Sequence, residues 1–318
     1  MTCPPERRQL EPRQLEPRQL EPRRAGARTP WRRRRPLAPV PPLPLPPGRT
    51  VTVPERGELF VRDTGGSGPV VLLVHGWMFA SDLNWLRSYA PLARAGYRVL
   101  AMDLRGHGRG LRSSEPFRLA DCADDAAGLL EVLGIGSALV AGYSMGGPVT
   151  QLLARRHPER VAGFVLCATA LSWRDPWQRA VWRTMGGLRL VLAAFPLGVW
   201  RAVVRVQGAD EQRSSWVAAE LSRSSARDVA EAGRELGRFD SSGWVGELPQ
   251  PAAVVLTARD RLVPPRRQRE LADALGVVPH SIEADHDACS VQPTAFVAAL
   301  LAGLQDVQAG RRAGAQVS

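Results

Sequence analysis

Short apolar runs alternate along this chain with stretches whose apolar residues recur every three or four positions. The runs fall at residues 58–62, 70–75, 98–102, 138–141, 163–168, 252–257 and 277–283. The helical spacings are clearest at 84–95 and 119–133. Runs such as VVLLV and FVLCA are apolar at every position, so both faces of those strands must be covered, as in a parallel sheet between helices. The alternation predicts an α/β architecture: a mostly parallel twisted sheet with helices on both faces.

One stretch departs from this rhythm. Residues 171–248 carry helical patterns and no convincing strand, with six of the nine tryptophans: Trp173, Trp177, Trp182, Trp200, Trp216 and Trp244. They are read as a helical lid inserted between two strands. Most tryptophans in helices are core, because large aromatics dominate packing. Trp173, Trp177 and Trp182 are the candidates for lining a substrate pocket beneath the lid. The expected division is thus 50–170 with 249–305 as the sheet domain, 171–248 as the lid and 306–318 as a flexible C-terminus.

Residues 1–49 have a different texture: three copies of RQLEP, then PWRRRRP and PLAPVPPLPLPPG. Frequent proline excludes a stable helix, and apolar periodicity is lacking, so a disordered Arg/Pro-rich tail is expected. It is read as a solvated tail, or as a start codon assigned too far upstream. No unbroken apolar segment follows its arginines, so it does not read as a secretory signal.

Charge changes the picture little. The formal net charge is +11, but residues 1–49, with 12 Arg and 4 Glu, account for +8 of it. All 42 basic residues are arginine, which is read as codon bias rather than as a selected basic function. Nothing in the sequence requires a nucleic-acid partner, and membrane contact is not predicted. The four cysteines (Cys3, Cys122, Cys167, Cys289) lack CxxC spacing and disulfide-scaffold density, so a reducing, cytoplasmic compartment is the expectation.

Candidate chemistry centres on LVAGYSMGGP at 139–148. An apolar strand precedes Ser144 and a helical pattern follows it, placing the serine on a strand-to-helix turn. Gly142-Tyr143-Ser144-Met145-Gly146 fits G-x-S-x-G, in which a sharp turn exposes the nucleophile and its neighbours must lack bulk. Pro148 falls in the first helical turn, where no N–H is needed. A second strand ends in His75-Gly76-Trp77. The Trp77 and Met145 backbone N–H groups could then face one oxyanion. His75 is a weaker candidate base; holding its loop by hydrogen bonds is the commoner role for such a histidine.

HGW at 75–77, DLRGHG at 103–108, GYSMGG at 142–147, ARDRLVP at 258–264 and ADHDA at 284–288 occur in that order. Together they resemble the α/β-hydrolase superfamily, in its capped, haloperoxidase-like and esterase-like branch, over roughly residues 51–305. The resemblance implies Ser144 as nucleophile, Asp260 as orienting acid and His286 as base. His107 is usually structural in this family. Many members have glycine just before the catalytic histidine, where this chain has Asp285.

The flanking Asp285 and Asp287 are poorer orienting acids than Asp260, because immediate neighbours rarely point to one spot. The cluster His280, Glu283, Asp285, His286 and Asp287 matches no recognised metal-ligand spacing. No phosphate loop or dinucleotide fingerprint occurs, so no cofactor is expected. The expected protein is a monomeric or homodimeric serine hydrolase acting on a small, largely apolar ester or related acyl compound. A serine at 144 argues against epoxide hydrolase and haloalkane dehalogenase chemistry, whose elbows carry a carboxylate. The rival is a non-catalytic protein of the same fold that binds a small apolar ligand or a partner.

Overall fold

The computed structural model describes residues 41–195 and 211–317, and the side chains of residues 176–177, 211–214 and 312–317 lie outside that description. Among the described residues, eight strands form one sheet: β1 (Gly48–Val53), β2 (Gly57–Asp63), β3 (Val70–Val74), β4 (Arg98–Met102), β5 (Ala138–Tyr143), β6 (Val161–Cys167), β7 (Ala252–Thr257) and β8 (His280–Ile282). Their order is β1-β2-β4-β3-β5-β6-β7-β8. The β1/β2 and β2/β4 pairs are antiparallel, and every later pair is parallel.

The period-2 geometry of β3 sorts its side chains between two cores. Leu72 and Val74 join the cluster formed with α3 (Leu119–Val132) and α4 (Gly146–Arg156). Val71 and Leu73 join the other, with Trp85, Tyr89, Phe296 and Leu300. Trp85 and Tyr89 come from α1 (Ser81–Trp85) and α2 (Tyr89–Arg94). The predicted helix at 84–95 is therefore two short helices, interrupted before Pro91. Burial on both faces explains why β3, β5 and β6 read as continuous apolar runs rather than alternating ones.

Between β6 and β7 the described elements are helical. They are α5 (Pro176–Arg183), α6 (Met185–Ala194), α7 (Glu211–Leu221) and α8 (Ala226–Arg238). A lone antiparallel bridge, Ser172 to Asp240, joins the two ends of the segment. Its helices bury a cluster shared with Leu83 of α1, including Leu192, Trp216 and Val229. After β7 come α9 (Pro265–Leu275), the short α10 (Ala288–Val291) and the long α11 (Pro293–Val317).

Two expectations about the ends need correction. The tail assigned to 1–49 ends earlier: β1 starts at Gly48, and Pro46 and Pro47 carbonyls accept bonds from Arg62 and the Asp63 N–H. The alternating RTVTV after the proline run carries this strand. The remainder of that tail, residues 1–40, lies outside the described residues. The C-terminal stretch from 306 is helix rather than loose end. There Val307 is buried, and Tyr97 Oη donates to Gln308 Oε1 at 2.7 Å. No helix among the described residues is long and apolar enough to cross a membrane.

Candidate active site

Ser144 sits between β5 and α4 with φ of 52°, in the left-handed region that non-glycine residues rarely occupy. Its N–H donates to the Cys167 carbonyl at 2.9 Å, which ties the strained turn to the end of β6. The flanking glycines provide room. A Cβ on Gly142 would collide with the Gly146 carbonyl, and one on Gly146 with the Val74 carbonyl. The turn can close because those two positions have no side chain.

The structure brings Ser144, Asp260 and His286 together although they lie far apart in sequence. His286 Nε2 lies 3.0 Å from Ser144 Oγ, and His286 Nδ1 lies 2.8 Å from Asp260 Oδ2. A carboxylate only accepts, so Nδ1 carries the proton and Nε2 is left to accept from the serine hydroxyl. Ser144 and Asp260 are buried, and His286 is partly exposed. A chain of hydrogen bonds thus runs from a buried carboxylate to a hydroxyl at the carboxyl ends of the parallel strands.

Asp260 is held at both oxygens. Oδ1 accepts from the Leu262 N–H (2.9 Å) and the Val263 N–H (2.7 Å). Oδ2 accepts from Thr257 Oγ1 (2.7 Å) and Gln268 Nε2 (3.1 Å) as well as from the imidazole. Gln268, fully buried on α9, also bonds the Val263 carbonyl and the Thr257 N–H. The sequence reading missed Gln268. Its signal was present: Gln268, Leu271, Ala272 and Leu275 form an i, i+3, i+4, i+7 stripe headed by a polar residue.

Two further residues hold the backbone around the site, and neither was singled out from sequence. Tyr143 Oη donates to the His286 carbonyl at 2.5 Å. Asn84 Oδ1 accepts the Gly76 N–H at 2.6 Å, and Asn84 Nδ2 reaches Cys289 Sγ at 3.4 Å. Asn84 thus fixes the loop carrying Trp77. Gly76 itself packs against Ser144, since a Cβ there would lie 3.2 Å from Ser144 Cβ. Among the described residues, neither the Trp77 N–H nor the Met145 N–H donates to a protein acceptor.

The other histidines are engaged elsewhere. His75 Nε2 accepts the Leu104 N–H at 2.9 Å, so its Nδ1 donates to the Gly76 carbonyl at 2.8 Å. Both nitrogens serve the backbone, and burial pushes the His75 imidazole down to about 4. Burial, with His75 nearby, takes His107 down to about 3, and His107 Nδ1 bonds the Arg105 carbonyl. His157 pairs with Asp124 and His280 with Asp306. Among the described residues, no group of three or more His, Cys, Asp or Glu is placed to hold a metal ion.

The helical segment meets the site through Trp77. Its indole Nε1 donates to the Val229 carbonyl of α8 at 2.7 Å, and its ring packs edge-on against Trp182 of α5 at 5.3 Å. Trp182 Nε1 in turn donates to the Trp173 carbonyl at 3.1 Å. Trp173 is buried in the main core with its own Nε1 unpartnered among the described residues. The Trp177 side chain and all of Trp200 lie outside the described residues. On the Asp260 side, Gln178 of α5 donates to the Leu262 carbonyl at 3.4 Å. Helix α5 therefore bridges from Trp77 to the loop that holds Asp260.

Comparison with known proteins agrees with this architecture. The family model described as alpha/beta hydrolase fold matches residues 69–289. The chain belongs to that family. It is 40% identical over 100 residues to epoxide hydrolase B of Mycobacterium tuberculosis, covering 31% of this chain and 28% of that protein. It is 38% identical over 117 residues to a non-heme haloperoxidase of Rhodococcus erythropolis, covering 36% and 42% respectively. The chain thus spans less than half the length of these two curated relatives. A thermophilic esterase from Thermogutta terrifontis superposes with a TM-score of 0.67 at 25% identity, covering 82% of this chain and 99% of that one.

Proposed function

We propose that this α/β hydrolase is a serine hydrolase that cleaves a carboxylic ester or related acyl bond of a small, largely apolar molecule. The observation that carries the reading is the continuous chain Asp260–His286–Ser144, with the serine on a strained strand-to-helix turn. His286 takes the Ser144 proton as Oγ attacks the acyl carbon, and Asp260 steadies the imidazolium in the correct tautomer. The N–H groups of Trp77 and Met145 hold the oxyanion. His286 then returns the proton to the leaving alcohol, and water, activated by the same imidazole, cleaves the acyl-enzyme.

An apolar substrate suits the helical segment acting as a lid. Trp77 and Trp182 both have their indole N–H groups engaged by backbone carbonyls, so what these rings offer a substrate is apolar surface. The relatives span epoxide hydrolase, haloperoxidase and esterase, and residue 144 sets this chain apart from the first of them. Its hydroxyl suits acyl transfer; epoxide opening through an ester intermediate requires a carboxylate at that position.

A fluorophosphonate probe with a graded series of p-nitrophenyl esters tests this. The wild-type protein is expected to be labelled once, at Ser144, and to turn over at least one ester. Ser144→Ala is expected to lose labelling and at least about 10⁴-fold in turnover, as removal of a nucleophile does. Labelling that persists in that variant would move the nucleophile elsewhere. An unlabelled, inactive wild type would favour a ligand-binding role.

A further inference from the structure

The parallel pairing of β7 with β8 continues beyond the strands themselves. The Ala258 N–H donates to the Ile282 carbonyl at 2.8 Å, and the Arg259 N–H to the Ala284 carbonyl at 3.0 Å. There the chains part, because Asp260 turns into its own loop, where its Oδ1 caps the Leu262 and Val263 N–H groups. The Arg261 N–H then meets a side chain instead of a backbone carbonyl: Asp285 Oδ1, at 3.0 Å. The same oxygen accepts the N–H of His286 at 2.7 Å.

We propose that Asp285 is a positioning residue, whose single carboxylate oxygen pins the loop bearing the acid to the loop bearing the base. This rests on the hydrolase reading above, in which the Asp260–His286 distance matters to turnover. Its two donors are the amide of the residue after the acid and the amide of the base itself. The His286 carbonyl is held by Tyr143 on its other side. The base is thereby gripped at both of its backbone polar groups, and Asp285 makes one grip common to the acid. A glycine at this position has no atom with which to form that rung.

Asp285 acts as an acceptor rather than as a charge. Its other oxygen faces the Arg261 guanidinium, at 3.6 Å, on a side chain that is 90% exposed. Asp285 itself is 41% exposed at the side chain, so water and Arg261 screen its charge. The donated Arg261 amide, first, and that of His286 hold its carboxyl below the usual range, so the acceptor is an ionised carboxylate at neutral pH. An asparagine would keep the Oδ1 acceptor without the charge. An alanine would remove both.

Asp285→Ala and Asp285→Asn therefore separate acceptor from charge, with kcat, KM, the pH profile and amide exchange as readouts. A loosened base costs orders of magnitude less than a missing one, yet small misplacements still slow chemistry. Asp285→Ala is expected to lower kcat about ten- to a hundredfold with KM within about twofold. Asp285→Asn is expected to stay within about threefold of wild type, with the acid limb of kcat/KM unmoved. The Arg261 and His286 amides are expected to exchange slowly in wild type and Asp285→Asn, and fast in Asp285→Ala.

Full kcat in Asp285→Ala would overturn the proposal. So would a loss in Asp285→Asn equal to that in Asp285→Ala with a displaced acid limb, which would assign the role to charge. Unprotected Arg261 and His286 amides in the wild type would overturn it as well, even if the alanine variant failed to fold. The exchange measurement needs no turnover, so an inactive wild type would defeat the hydrolase reading and still leave this contact judged on its own.

Discussion

The sheet and the helical segment meet at the Trp77 loop, whose Gly76 packs against Ser144, and they are built on different principles. On the sheet side the acid and the base are tied by a dense set of bonds, although Thr150 Oγ1 and Thr169 Oγ1, beside Gly142 and Gly147, are buried without partners among the described residues. Asp260 accepts five bonds, Gln268 bonds three different residues, and the His286 backbone is held at both ends. On the helical side the contacts are rings and loosely matched polar atoms. Trp77 packs on Trp182, while Trp173 Nε1 and Gln178 Oε1 are buried without partners among the described residues. A fully bonded network fixes one geometry, whereas apolar contacts of similar volume can repack at modest cost. The proposed chemistry belongs to the first kind of matter and the proposed selectivity to the second.

Substitutions on the two sides should therefore fail in different ways. The largest loss is expected from Asp260→Asn, which keeps the shape but presents the wrong hydrogen-bonding pattern to His286 Nδ1. A drop of about 10⁴ in kcat with little change in fold is the expected result, measured by ester hydrolysis beside circular dichroism. A drop below tenfold would remove Asp260 from the mechanism. Gln268→Leu comes next. It strips Oδ2 of one donor and leaves the Thr257 N–H and the Val263 carbonyl buried without this partner. A loss of about 2–3 kcal/mol in stability and roughly tenfold in kcat follows, read by urea unfolding and kinetics together.

Across the seam, Trp182→Ala should behave otherwise. Helix α5 loses its edge-on contact with Trp77, and space opens beside that ring. For a short acetate ester kcat should change by no more than about threefold, while the ratio of kcat/KM values for long and short acyl chains shifts about tenfold. That is the scale of a methylene or two of lost apolar contact. Equal loss for all chain lengths would make this ring part of the catalytic frame and erase the distinction between the two sides.

The same contrast governs how much could be read from residues alone. The turn at Ser144 was legible because its requirement is local: room at Gly142 and Gly146, apolar strand before, helix after. Asp260 and His286 could be placed because each follows an apolar strand, in an order that the resembled family shares. Tyr143 and Asp285 act through contacts with residues distant in sequence, while Gln268 and Asn84 reach back five to eleven residues across a loop, and only tertiary geometry reveals either kind. Asp285 was noticed as a departure, but its bond to the Arg261 amide depends on where β7 and β8 end. Strand β1 was missed because its alternating RTVTV adjoins a proline run. The helix beyond residue 305 was missed because Gly303 and Gly310 blur its periodicity, although Val307 is buried against the sheet.

The seam between the two sides also rests on histidines that must stay neutral. His75 joins the HGW loop to Leu104, and its neighbour His107, with ring centroids 5.5 Å apart, lies within the DLRGHG loop. That loop receives the helical segment directly: the Ser225 N–H donates to the Gly106 carbonyl, and the Gly108 N–H donates to Ser224 Oγ. With folded-state values near 4 for His75 and near 3 for His107, against 6.5 when unfolded, the unfolded chain binds more protons in the window between. Stability is thus fully present above about pH 6.5 and falls as the pH drops toward 4. Each histidine contributes on the order of 1 kcal/mol of loss between pH 7.5 and 5.5. His107→Gln is expected to remove about half of the combined slope in urea-unfolding free energy over that range. The loss in the wild type should register first at the seam, as faster amide exchange at Gly108 and Ser225 than at the β3 and β5 amides. Uniform loosening of sheet and helical segment together, or an unchanged slope in the variant, would show that acid enters the fold somewhere other than this histidine pair.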